Sequence, residues 1–156
     1  MTGNLQTGDM VPNFSLPTGD GTVADVADYR GKKLVIFFYP KDDTPGCTKE
    51  SIAFSQSRAA FQACDTEIVG ISIDSPKSHA KFTAKHELTV TLASDEDKSA
   101  VEAFGVWVEK NMYGRKYMGT ERATFLIDRQ GKIAQIWRKV KVPGHVDAVL
   151  EAAQAL

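Results

Sequence analysis

The chain has 156 residues, 42% hydrophobic and 25% charged, the balance of a single soluble globular domain large enough to bury a core without staples. Its 19 basic and 20 acidic side chains leave a net charge of −1, which gives neither nucleic acid nor a membrane surface an electrostatic handle. No apolar run approaches the roughly 20 residues of a membrane span, the start Met1-Thr2-Gly3-Asn4-Leu5-Gln6 has no basic or apolar leader region, and two cysteines make no disulfide framework, so the expected compartment is the cytoplasm.

No repeat, low-complexity tract or linker divides residues 1–156, which read as one domain. Gly19-Asp20-Gly21, between Phe14-Ser15-Leu16 and Thr22-Val23, reads as a β-hairpin turn. Residues 33–39 are continuously apolar and β-rich after Lys33, as a strand buried on both faces should be. A helix is expected from residue 44 to about 63, with Ile52, Ala53, Phe54, Ala60 and Phe61 inward. Residues 67–74 form the next expected strand, and Pro76 opens the helix after it. A short strand at 89–92, a short helix at 97–104 and a glycine-containing loop carrying Trp107, Tyr113 and Tyr117 follow. Residues 122–128 and 133–140 are expected as strands joined by the turn Arg129-Gln130-Gly131-Lys132, and 145–156 as a closing amphipathic helix. This order predicts an α/β fold, a mixed sheet with parallel early strands, an antiparallel late hairpin and helices on both faces. That is a thioredoxin-like architecture with an N-terminal hairpin added.

The most informative stretch is Phe38-Tyr39-Pro40-Lys41-Asp42-Asp43-Thr44-Pro45-Gly46-Cys47-Thr48-Lys49-Glu50. Thr44 suits an N-cap, Pro45 the first helical position, and Gly46 leaves room for close approach. Cys47 then lies in the first turn of a helix, where unpaired N–H groups and the positive dipole end favour a thiolate. The plainer assignment, a small buried hydrophobe, is what most free cysteines are; the position after Thr-Pro-Gly argues for a nucleophile instead. The Thr44 hydroxyl can aim at the sulfur or at a molecule bound beside it, but not also cap the helix fully. Pro40, rigid and without an N–H, can shield the sulfur from water. Glu50, an acid one turn on, opposes ionisation of the thiol unless a cation neutralises it.

Pro40-x-x-x-Thr44-x-x-Cys47 resembles the signature of the peroxiredoxins, and the fuller run looks like their bacterioferritin-comigratory (PrxQ) branch. Phe104-Gly105-Val106-Trp107, Lys110-Asn111-Met112-Tyr113-Gly114, Tyr117-Met118-Gly119 and Arg122-Ala123-Thr124-Phe125-Leu126-Ile127-Asp128 agree with it in order. The resemblance covers nearly the whole chain. It implies a thiol-dependent peroxidase that reduces hydrogen peroxide and organic hydroperoxides through a sulfenic acid on Cys47. Electrons would come from thioredoxin or another external thiol, with no metal or organic cofactor, and the protein would serve antioxidant defence as a monomer or weak homodimer. It also places the family's essential arginine at Arg122, the cation that Glu50 requires.

The sequence departs from the branch at the resolving cysteine. The two places where the resemblance expects one hold Ile52 and Thr83. The remaining thiol, Cys64, would lie roughly 25 Å from Cys47 along one helix at ~1.5 Å per residue, whereas a disulfide needs Cα atoms within about 7 Å. Cys64 is therefore a doubtful resolver and better read as a packing residue. Cys-x-x-Cys is absent, which disfavours a disulfide exchanger, and a redox sensor that oxidises once is the rival from another class. His79 and His86 are too far apart on a helix to share a metal.

Overall fold

The computed structural model describes residues 5–156; residues 1–4, part of the stretch read for a leader, lie outside the described residues. Strand β3 (Lys33–Phe38) is buried at every position. It sits at the centre of a five-stranded sheet of order β5-β4-β3-β8-β9. β3 runs parallel to β4 (Thr66–Ser72), which runs parallel to β5 (Thr91–Ser94). On its other side it pairs antiparallel with β8 (Ala123–Ile127), which pairs antiparallel with β9 (Ile133–Trp137). The expected mixed sheet is present, as is the N-terminal hairpin of β1 (Ser15–Pro17) and β2 (Val23–Asp25).

Because side chains alternate across a strand, β3 supplies two cores at once. Leu34, Ile36 and Phe38 join Val69, Ile71 and Phe125 beneath the hairpin and the short helix α4 (Ser99–Ala103). Val35, Phe37 and Tyr39 face the other way, against Phe54, Phe61, Phe82 and Val149 of helices α1 (Pro45–Gln56), α2 (Arg58–Ala63), α3 (Pro76–His86) and α5 (His145–Ala155). Gly70 on β4 lies opposite Phe37, and a Cβ there would come within 2.5 Å of the Phe37 ring. That position has space only for glycine.

Three expected elements differ. The helix after Thr44 is broken at Ser57 (φ −93°, ψ 0°). The Thr89 hydroxyl donates to the Ser55 carbonyl, competing for an acceptor that would continue the helical ladder. The same contact moves β5 from 89–92 to Thr91–Ser94: the Thr89 and Val90 N–H groups donate to Ser55 Oγ and are lost to the sheet. The loop around Tyr113 is instead a second hairpin, β6 (Trp107–Met112) with β7 (Arg115–Thr120). Tyr113 (φ 53°) and Gly114 (φ 79°) make a two-residue turn with both centres left-handed, and Asn111 Oδ1 accepts from the Gly114 N–H. Tyr113 stands fully exposed at its tip.

Candidate active site

Chain direction brings the site together. β3 ends at Phe38, and Phe38 pairs with Ala123, so Arg122, just before β8, arrives at the same end of the sheet. There the chain turns through Pro40 and enters α1 at Pro45, with Thr44 at the cap in an extended conformation. The Thr44 hydroxyl does not cap the helix; it donates to the Lys41 carbonyl at 2.8 Å. Its proton is thus committed within the loop, and its lone pairs remain available. Pro40 and Thr44 are half-buried, whereas Cys47 is 1% exposed.

Arg122 bridges two partners. Nη1 donates to Glu50 Oε1 at 2.6 Å and Nη2 to Cys47 Sγ at 3.3 Å. The role of Gly46 follows, since a Cβ there would lie 3.1 Å from Arg122 Nη2. Of the residues singled out in the sequence, Arg122 is in direct contact with both Cys47 and Glu50, and Thr44 and Pro40 belong to the loop that leads to them. Cys64 is elsewhere. It precedes Thr66, which pairs with Lys33 at the start of β3, whereas Cys47 follows the end of that strand. The length of β3 alone separates the two ends by roughly 20 Å at ~3.3 Å per residue. Cys64 Sγ donates to the Phe61 carbonyl at 3.2 Å, as a packed residue would.

The site's electrostatics are dominated by burial. The Glu50 side chain is wholly buried and Oε2 has no hydrogen-bond partner. Desolvation raises its pKa to about 7, partly opposed by Arg122. Arg122 is held above its usual value: burial works against its charge, and Glu50 and Cys47 more than offset it. Behind them His145 donates to or accepts from the buried Thr124 hydroxyl at 2.8 Å, and burial followed by the Arg122 charge lowers its pKa to about 4. Lys110 on β6 packs its stem over Gly119, and burial and then Arg122 lower its pKa. The sequence reading passed over Lys110 and His145; the Lys110-Asn111-Met112-Tyr113-Gly114 run carried the only signal, and only for the first. His79 and His86 do not share a site: they pair with the consecutive carboxylates of Asp42 and Asp43. Among the described residues no cluster of three or more His, Cys, Asp or Glu side chains could hold a metal ion.

This geometry sets a fixed positive charge against a sulfur and can stabilise charge developing on an atom beside it. Residues 7–136 match the AhpC/TSA family. The chain belongs to that family. It is a thiol-dependent peroxidase, a peroxiredoxin similar in sequence to the peroxiredoxins Bcp. One such protein from Coxiella burnetii is 46% identical, over 94% of this chain and 97% of that protein. That from Bacillus subtilis is 44% identical, over 94% of each. The bacterioferritin comigratory protein of Xanthomonas campestris superposes with a TM-score of 0.87 at 46% identity, over 91% of this chain and 90% of that one. The thioredoxin-like fold of such peroxiredoxins is the fold described above.

Glu50 and His145 pull this peroxiredoxin's pH dependence in opposite directions. Glu50 titrates near 7 when folded and near 4.5 otherwise. The native state therefore holds the extra proton between these values, and stability falls as pH rises through them. His145 titrates near 4 when folded against 6.5 otherwise, so stability falls as pH drops from 6.5 to 4. The two contributions oppose one another. Glu50→Gln keeps the shape and removes one of them. Relative to the parent it should gain stability as pH rises, by up to about 3 kcal/mol near pH 8. Urea unfolding of both proteins at pH 4.5 and 8 checks this; a stability difference unchanged between the two pH values would show that Glu50 does not titrate there.

Proposed function

We propose that Cys47 is the peroxidatic nucleophile and that Arg122, Thr44, Pro40 and Glu50 serve it. The observation that carries the reading is the Arg122 guanidinium, which touches Cys47 Sγ with one nitrogen and Glu50 with the other. The Cys47 thiolate attacks the nearer peroxide oxygen; an S–O bond forms, the O–O bond breaks, and the departing oxygen leaves as water or alcohol once protonated. Arg122 Nη2 stabilises negative charge passing from sulfur to that oxygen. The Thr44 oxygen, its own proton given to Lys41, accepts from the peroxide O–H. Pro40 keeps water from the sulfur, and Glu50 aims the guanidinium. An external thiol then displaces water from the Cys47 sulfenic acid to give a mixed disulfide, and a second thiol restores Cys47.

The reductant we propose is thioredoxin or another thiol, in the cytoplasm, acting on one domain spanning residues 1–156 as a monomer or weak homodimer. The described residues contain no helix long and apolar enough to cross a membrane. The Xanthomonas campestris relative is described by its alkyl peroxide reduction activity, which favours organic hydroperoxides beside hydrogen peroxide as substrates here.

Cys47→Ser should lose peroxide consumption to background in the presence of excess dithiothreitol, with the far-ultraviolet circular dichroism of the parent retained. Appreciable turnover would remove Cys47 from this role. A protein that oxidised once and stopped would instead be a sensor.

Arg122→Ala should slow Cys47 oxidation by roughly 100-fold, the size expected for losing one charged donor at a developing charge. Arg122→Lys should restore little of it, because an ammonium cannot span carboxylate and sulfur as a planar fork does. Rapid-quench oxidation by one equivalent of hydrogen peroxide measures both.

Cys64 should be dispensable, since it lies at the far end of β3. After peroxide without reductant, mass spectrometry should find sulfenic and then sulfinic acid on Cys47, and Cys64→Ser should turn over normally with dithiothreitol. A stoichiometric Cys47–Cys64 bridge would overturn the one-cysteine cycle and leave the peroxidase reading intact.

A further inference from the structure

His79 is wholly buried on α3 and has no part in the chemistry above. Its Nε2 lies 3.0 Å from the Ala93 carbonyl, and its Nδ1 lies 2.7 Å from Asp42 Oδ2. A carbonyl only accepts, so Nε2 carries a proton and donates. The Asp42 carboxylate also accepts from the Tyr39 hydroxyl at 2.6 Å and the Ser78 hydroxyl at 2.8 Å. Tyr39 is a phenol there, its pKa pushed well above the usual value by burial and then by Asp42. One proton lies between Nδ1 and Oδ2, and the network closes with each of these groups paired. A buried pair of this kind adds little stability over an apolar substitute, so its worth lies in the geometry that it holds.

What it holds is the loop before Cys47. The Asp42 backbone N–H donates to Asp74 Oδ2 at 2.8 Å, Asp43 is left-handed (φ 61°), and the next hydroxyl, that of Thr44, reaches back to Lys41. The residues on either side of Asp42 therefore set where the Thr44 oxygen points. Asp43 ties the same loop to the end of α3 through Lys85 and His86, but that pairing is largely exposed and correspondingly weak. The buried anchor is the one able to fix the loop.

We propose that His79 is a positioning residue for the peroxide reaction, acting through Asp42 to hold the loop that presents Thr44. The proposal rests on the functional reading above and adds α3 to the machinery of the site. It separates reaction with peroxide, which needs the Thr44 oxygen, from simple alkylation of Cys47, which needs only the sulfur and Arg122.

Two isosteres test it. In His79→Asn the amide nitrogen falls near the place of Nδ1 and can still donate to Asp42; in His79→Gln it falls near Nε2 and can donate only to Ala93. Both variants should lose thermal stability to a similar degree. His79→Gln should oxidise roughly 10- to 100-fold more slowly with one equivalent of hydrogen peroxide, the scale of a small misplacement of a reacting group, while its iodoacetamide alkylation stays within about twofold of the parent. His79→Asn should keep most of the peroxide rate. Equal slowing in the two variants, slowing of alkylation in parallel with oxidation, or an unchanged rate in His79→Gln would each overturn the proposal. Should His79→Gln fail to fold, Ser78→Ala removes one donor from Asp42 at a half-buried position. A peroxide-selective slowing there supports the proposal and an unchanged rate overturns it. Cys47→Ser in the same assay separates the two levels: if it consumes peroxide like the parent, the functional reading falls, whereas if it is silent while His79→Gln matches the parent, only the role of His79 falls.

Discussion

The site depends on one guanidinium placed between a carboxylate and a sulfur. Arg122 can reach Cys47 and Glu50 together because β8 runs antiparallel to β3, which carries residue 122 to the end of β3 from which α1 departs. Each group makes the next tenable. Glu50 without Arg122 would be an unpaired buried acid, and Arg122 without Glu50 would have to hold its charge against desolvation through the sulfur. Gly46 completes the arrangement by leaving the surface of α1 open where the guanidinium crosses it.

The same crowding accounts for the opposed behaviour of Glu50 and His145. Both are buried within the field of Arg122, and burial is the larger influence, so each is pushed toward its neutral form: the acid up, the base down. His145 is paired with a hydroxyl, that of Thr124, rather than with a carboxylate. α3 is arranged differently. It meets the loop of residues 40–44 through two consecutive aspartates, one buried against His79 and one exposed against Lys85 and His86.

Where the sequence reading succeeded, the signal was local. The apolar run of β3, the Pro45 and Pro76 helix starts and the late hairpin turn each follow from a few adjacent residues, and each is present. The errors arose where a distant side chain intervened. Ser55 and Thr89 meet across 34 positions, breaking the expected helix at Ser57 and delaying β5 by two residues. Neither effect has a trace in the local pattern. The second hairpin was missed for another reason: its strands are mostly exposed, so no alternation of apolar and polar residues marked them, and the Tyr113-Gly114 turn was the only cue.

The sequence by itself determined the setting of Cys47, because a helix N-terminus is made by its own residues: Thr44, Pro45, Gly46 and Cys47 suffice to place a thiol among unpaired N–H groups. It also put Glu50 on the same helix, one turn away, and so raised the need for a cation. Tertiary structure decided how the need is met. The contact of Arg122 with Cys47 spans 75 positions and exists only through the pairing of β8 with β3. The pairing of Asp42 with His79 spans 37 and exists only because α3 packs against the loop. The distance of Cys64 from Cys47 was likewise decided by the sheet, since the two thiols flank opposite ends of β3. Hydrogen bonds and charges act over a few ångströms of space, and only the packed chain sets which residues come that close.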